Sequence, residues 1–382
     1  MIKYYKNANN KIQEIVDTSL NLMNLRHGSK VFIKPNFSGR PPILLGENTS
    51  LDVLEAIVKN LVSKDCEIII GHYALLSLDK KKFPFEKMIE MGGYDILKKY
   101  NKVKFLNLEE EEHKTERINE FTIFIPKILD KVDYIINVPK AKTHMETQVS
   151  LSIKNLMGLI DGHSRKLFHK FFLNELLGYL GVFIKPSINI VDGITSMEGN
   201  GPHEGTNIDS NFICVGDDLV ELDSFLAHMM GFNFNDVTHI KKAQELGVGN
   251  YASRDIIDKY QKEIKDFKKP DTYMKLGRQL YFWPTTSCSL CHEVMRDMKK
   301  KLKKDFIFGL KFYYYAIFSK KRINIIIGRC ENMEYFKNDI NVCIGICTKW
   351  FAEENNIEFL MGCPPSADKV IDFVFKKFRD SK

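Results

Sequence analysis

The most constraining feature of this chain is an apolar run, a helical segment and a second apolar run in direct succession. KVFIKPNF (residues 30–37) reads as a strand entering a rigid proline-containing loop. TSLDVLEAIVKNLVSK (49–64) places its apolar residues at helical spacing behind Thr49 and Ser50, two candidate N-caps. CEIIIGH (66–72) is a second strand, closed by glycine and histidine. Strand, helix, strand at this spacing suggests a βαβ unit, because neighbouring parallel strands need a crossover of about a dozen residues or more, usually a helix. FTIFIPKIL, DYIINVPK, INIVDGI and NFICVGD supply further strand candidates, and the expectation is an α/β fold with a mostly parallel sheet core.

At 382 residues the chain exceeds the usual size of a single hydrophobic core. We therefore expect an α/β core domain over residues 1–275 and a smaller cysteine-rich α/β domain over 276–382. With 44% hydrophobic and 27% charged residues, the composition is that of a globular chain rather than a disordered polyelectrolyte. The formal charge of +7 is gathered in short runs, KKLKKDF, KDFKK and SKKR. Such runs face water, an acidic partner or a polyanion; no nucleic-acid module or aromatic–basic platform accompanies them, so nucleic acid is not expected as a partner. MIKYYKNANNKIQEIV lacks the continuous apolar core of a targeting segment. FIFGLKFYYYAIF (306–318) comes nearest to a membrane element, but Lys311 interrupts it and it is shorter than the roughly 20 residues that span a bilayer. It reads as a buried or interfacial helix, and the expectation is a cytoplasmic protein without a transmembrane segment.

Several strand candidates stop at polar loops, where an α/β sheet places its chemistry. Lys34 and Asn36 follow the first strand, and Lys140, Lys142, Thr143 and His144 follow DYIINVPK. Asp192 and Glu198 follow INIVDGI, with His203 in the glycine-rich continuation. Lysines can hold carboxylate or phosphate oxygens, and His144 can exchange a proton near neutral pH with Asp192 or Glu198 to orient it. The competing reading is that proline and glycine only turn the chain and these side chains face water. Neither GxGxxG nor GxxxxGK[ST] occurs, so standard dinucleotide and P-loop sites are not supported.

VFIKPNF, PKAKTHMETQVSLSIKNLMGLI, IVDGITSMEGNGPHEG and GDDLVELDSFLAHMMGF, in that order, resemble the characteristic blocks of the domain of unknown function 362 family. The resemblance covers most of residues 29–250. It implies an α/β core carrying Lys34, Asn36, Lys142, His144, Lys154, Asn155, Asp192 and Gly201, often in company with iron–sulfur domains. On the residues alone, Lys154 and Asn155 open a helical segment and serve equally to cap or brace the core.

Six of the eight cysteines fall after residue 287. Cys66 and Cys214 lie in apolar runs and read as buried thiols. The remainder stand at the ends of a repeated strand–loop–helix pattern: Cys288 and Cys291 after YFWP, Cys330 after INIIIG, Cys343 and Cys347 in NVCIGIC, and Cys363 after IEFLMG, with Ser366 as a helix N-cap. Four thiolates suit zinc or an iron–sulfur centre, and spacing alone does not separate them; a dithiol exchange pair would leave the other four unused. CSLCH, GIC and GCPP are similar to the cluster-binding pieces of nickel–iron hydrogenase small subunits and of the related subunit of respiratory complex I. That similarity implies a [4Fe–4S] cluster on Cys288, Cys291, Cys347 and Cys363. The chain departs from the pattern in having Cys330 and Cys343 as well, and Thr348, Lys349 and Trp350 where a double glycine is expected.

The combined expectation is an iron–sulfur oxidoreductase that reduces a small anionic substrate held by Lys34, Lys142 and His144, with an acidic ferredoxin or flavodoxin as donor. The alternatives are an electron carrier without chemistry of its own and a zinc-stabilised binding protein.

Overall fold

A computed structural model describes residues 1–37, 45–73, 84–170, 173–202, 204–263, 265–271, 274–275, 278–284, 289–328 and 339–380. His203, Cys288 and Cys330, named above, lie outside the described residues. The chain divides into two compact units, one of Met1–Phe168 with Phe172–Pro270 and one of Asp271–Lys382 with His169–Phe171.

In the first unit the strands are β1 (Ile2–Lys6), β2 (Lys30–Pro35), β3 (Glu67–His72), β4 (Val103–Asn107), β5 (His113–Ile118), β6 (Phe121–Pro126), β7 (Tyr134–Val138), β8 (Lys140–His144), β9 (Gln148–Ser150), β10 (Ile188–Asn200) and β11 (Glu204–Gly216). The main sheet runs β1-β11-β10-β7-β2-β3-β4, with β8 beside β10 and β9 beside β8. From β10 through β7, β2 and β3 to β4 every pairing is parallel. β1 and β10 pair antiparallel to β11, and β9 to β8. The sheet is thus mixed, because INIVDGI does not stop at a polar loop but continues to Asn200 as one arm of a long hairpin with β11. Gly193 makes the hairpin's close approach possible, because the Phe212 ring occupies the place a Cβ would take, 2.4 Å away.

The β2–helix–β3 unit forms as the periodicity implies, with the helix at Leu51–Ser63. Its apolar face and that of Ile12–Asn21 cover Val31, Ile33, Ile68 and Ile70 in one core. Ser50 takes the N-cap position but makes no side-chain cap bond; its backbone N–H donates instead to Asp192 Oδ2 at 2.6 Å.

The second unit holds β12 (Met274–Lys275), β13 (Leu280–Pro284), β14 (Ile323–Ile327), β15 (Ile340–Ile344) and β16 (Glu358–Leu360), hydrogen-bonded in sequence order. All pairings but β12–β13 are parallel. Strand alternation splits its apolar residues. Ile323, Ile325, Ile327, Val342 and Ile344 pack with the helices Ser289–Lys304, Phe306–Phe318 and Ala367–Asp380; Trp283, Ile326 and Cys343 pack with Phe351 and Ala352 in a separate cluster. Ser366 caps the last helix, its Oγ accepting from Lys369 N at 3.4 Å. Among the described residues no helix is long and apolar enough to cross a membrane.

Candidate functional site

The carboxyl ends of β2, β3 and β7 lie side by side, and they bring cations inside. Lys34 is fully buried and donates to its neighbour's carbonyl, Pro35 O, at 2.5 Å. A Cβ on Gly158 would stand 2.7 Å from Lys34 Nζ and 3.4 Å from His72 Nε2, so this glycine keeps open the space on which the amine and the imidazole converge. The His72 ring donates from Nδ1 to Tyr73 O, which leaves the Nε2 lone pair turned toward that space. Arg165, also buried, stacks over the Tyr73 ring at 5.0 Å. Burial drives the Lys34 ammonium well below its ordinary pKa, and the positive charges of Arg165 and Lys142 push it further. Burial and then Lys34 do the same to His72, partly offset by the Tyr73 carbonyl.

Asparagines hold these strand ends in register. Asn155 Nδ2 donates to Lys34 O at 3.2 Å and to Asn137 Oδ1 at 2.8 Å. Asn137 in turn donates to Ser152 O and to Asn189 Oδ1. Asn155 therefore braces the core, one of the two roles its position in a helical segment allowed. The Asn36 backbone exchanges hydrogen bonds with Thr49 through its N–H to Oγ1 (2.8 Å) and its carbonyl from Thr49 N (2.9 Å).

Lys140, Lys142, Thr143 and His144 do not form a loop; they are β8, a strand buried along its whole length. Lys140 Nζ meets Asp192 Oδ2 at 2.9 Å with both side chains inaccessible to solvent, and donates to Ser50 Oγ at 2.9 Å. Asp192 Oδ1 accepts from Ile194 N at 3.0 Å. Asp192 thus lies within β10 and ties β8 and the helix at Leu51 to it. Glu198 also lies on β10, its Oε2 accepting from Lys268 N at 2.9 Å. Lys142 Nζ donates to Glu47 O at 3.0 Å. Burial brings its pKa down to about 7; Glu47 opposes the shift, and Lys154 and Lys140 add to it. Lys154 is lowered to about 8 by burial against the pull of Glu146. His144 Nδ1 accepts from Glu146 N (3.1 Å) and Thr147 N (3.3 Å), which fixes the tautomer with its proton on Nε2 and makes that atom a donor. Gly201 lies beside the same strand: a Cβ there would meet Thr143 O at 2.1 Å.

His72, Arg165 and Gly158 are the members of this cluster that the sequence did not single out. The histidine closing CEIIIGH and the glycine of NLMGLI, inside a block that carries the family resemblance, were the available signals; Arg165 carried none, since it lies in a helical stretch remote in sequence from Lys34.

In the second unit, Gly345 (φ 97°) follows β15. A Cβ on it would lie 3.6 Å from Cys347 Sγ, 3.8 Å from Cys291 Sγ and 3.7 Å from Gly362 O. Both sulfurs therefore border the place that a side chain at 345 would take. Cys363 follows Gly362 directly and is exposed, whereas Cys343 is buried in the cluster with Trp283 and Phe351. Among the described residues no set of three or more His, Cys, Asp or Glu is placed to hold a metal; Cys288 is not among them. Cys291 and Cys347, two thiols beside one glycine, are donors of the kind a soft metal centre takes.

These features define an α/β protein of two units, the larger collecting buried cations at the carboxyl edge of parallel strands. The chain belongs to the family described as Domain of unknown function (DUF362), whose pattern matches residues 31–228, all but His169–Phe171 within the larger unit. It is 26% identical over 127 residues to the thylakoid-associated protein sll1697 of Synechocystis sp., an alignment covering 32% of this chain and 40% of that protein. Among solved structures it is similar to the lactate racemase apoprotein of Thermoanaerobacterium thermosaccharolyticum, with a TM-score of 0.41 and 12% identity over 82% of this chain and 66% of that one.

Proposed function

We propose that the protein is an iron–sulfur oxidoreductase that reduces a small anionic substrate held by Lys34 and Lys142. The observation that carries this reading is Lys34, a fully buried amine that converges with His72 on the space Gly158 leaves open; Arg165 and Lys142 act on it, themselves balanced in part by Glu109 and Asp161 and by Glu47. An anion among the cations would turn mutual repulsion into attraction at low dielectric, where it counts most. His144 would offer its Nε2 proton to the substrate, and Asp192 would act indirectly by holding Lys140 and β8 in place. Cys288, Cys291, Cys347 and Cys363 would hold a [4Fe–4S] cluster, which supplies one-electron chemistry when bound. The thiols of Cys291 and Cys347 suit zinc as well, and with zinc the chain would be a binding protein stabilised by its metal.

The test is metal and acid-labile sulfide analysis of protein purified without oxygen, followed by a screen of carboxylates and phosphate esters for oxidation of the reduced centre. Four iron and four sulfide per chain, with substrate-dependent oxidation that Lys142→Met weakens, is the expected result. Stoichiometric zinc without sulfide would replace this reading with the zinc one, and a cluster that no anion oxidises would leave an electron carrier.

A further inference from the structure

The helix Phe306–Phe318 takes no part in either site, and its surface is unusual. A helix apolar on all sides is ordinarily buried on all sides, yet here Phe306 is 71% exposed, Ile307 81% and Phe318 67%, with Leu310, Tyr314 and Ile317 also open to solvent. At about 100° per residue, these six and Lys311 fall on one continuous arc of about 140°. The opposite arc, with Phe312, Ala316 and Gly309 at its centre, packs into the core beside Phe375 and Phe378. The helix cannot turn to hide its outer arc, because Gly309 is pressed against the preceding helix so closely that a Cβ would meet Leu302 O at 2.0 Å.

Charge frames this arc. Residues 299–322 contain nine Lys or Arg and one Asp, a net +8, which exceeds the +7 of the entire chain. Lys303 and Lys304 stand exposed just before the helix and Lys320 and Lys321 just after it, while Lys301 and Arg322 are engaged by Asp368 and Asp339. The Asp305 carboxylate is taken up as the helix N-cap, accepting from Phe308 N. Thirteen residues make a helix about 20 Å long, too short to cross a hydrocarbon core of about 30 Å. An aromatic and aliphatic stripe with lysines at both ends is the form that lies in a bilayer interface, where the stripe enters the acyl boundary and the lysines reach anionic headgroups. A second copy of this chain fits poorly, since pairing two such arcs would bring two +8 stretches together.

We propose that the Phe306–Phe318 helix docks the protein on the surface of an anionic phospholipid bilayer, with Phe306, Ile307, Leu310, Tyr314, Ile317 and Phe318 inserted and Lys303, Lys304, Lys320 and Lys321 against the headgroups. The test is flotation of the full-length protein with phosphatidylcholine vesicles that contain or lack phosphatidylglycerol, at low and high salt. The protein floats with the anionic vesicles, and salt weakens the association. Each lysine-to-glutamine change at 303, 304, 320 or 321 lowers partitioning about fivefold. Ile307→Glu and Leu310→Glu abolish flotation without lowering the melting temperature, because both side chains already face water. Tryptophan emission from Leu310→Trp shifts to the blue on adding anionic vesicles. Failure of the wild-type chain to float, or equal flotation of the glutamate variants, overturns the proposal. So does a dimer that Leu310→Glu splits in the absence of lipid binding, or capture of an acidic protein by a chain that ignores vesicles.

Discussion

The buried Lys140–Asp192 pair makes the sharpest stability prediction. In Asp192→Asn, Lys140 loses the carboxylate that compensates its charge and keeps neutral partners alone, Ser50 Oγ at 2.9 Å among them. The new amide must also turn its NH2 on a donor, either on Ser50 N and Lys140, where Oδ2 had accepted at 2.6 and 2.9 Å, or on Ile194 N, where Oδ1 had accepted at 3.0 Å. Removing one partner of a fully buried pair costs about 3–5 kcal/mol, most of it the uncompensated charge left behind. For a unit of this size, about 2–4 °C of melting temperature per kcal/mol converts this to a loss of roughly 6–20 °C. Lys140→Met should lose a similar amount, whereas Lys140→Met/Asp192→Leu should recover most of it, because an apolar pair leaves no charge unpaired. The assay is far-ultraviolet circular dichroism across a thermal ramp. Both tryptophans, Trp283 and Trp350, belong to the smaller unit, so their emission provides a control for damage unrelated to the pair. Single variants melting within about 2 °C of wild type, or a double variant no more stable than either single, would refute the reasoning.

Three further outcomes are expected. Cys291→Ser, Cys347→Ser and Cys363→Ser should each lose or convert the metal centre, whereas Cys343→Ser, on the side of Trp283 and Phe351, should keep it; iron and sulfide content and electron paramagnetic resonance of the reduced protein decide. Lys142 has a folded pKa of about 7 against an ordinary 10.5, so between those values the unfolded chain binds more protons and stability rises with pH. The urea midpoint should climb more steeply from pH 7 to pH 10 in wild type than in Lys142→Met, while affinity for a small anion falls over the same range as the ammonium is lost. Gly201→Ala places a methyl group against backbone, Thr143 O at 2.1 Å, which has no flexible end to give way. It should lower the melting temperature by several degrees or more, a loss that an unchanged thermal scan would contradict.

The sequence by itself determined the elements whose signal is local. The strands at Lys30–Pro35 and Glu67–His72 and the helix between them follow from apolar periodicity, because each residue's preference there is set by neighbours a few positions away. The same holds for the strand–helix pattern of the last hundred residues, and for the odd character of Phe306–Phe318, which is legible as an apolar stretch too short to span a membrane. Tertiary structure decided the rest. The polar segment from Asp192 to Asn200 is strand because β11 pairs with it, a long-range partner that no local preference announces. β8 likewise owes its form to β9 and β10. Lys140 and Asp192, 52 positions apart, become one ion pair only through the order of strands. Lys34, His72 and Gly158 share one small space only once β2 and β3 are adjacent and the segment after Asn155 is folded back across them. Local sequence specifies which residues are strand or helix, but a charged side chain is drawn inside only when the fold supplies its partners. The chemistry of this interior therefore depends on contacts between segments far apart in the chain.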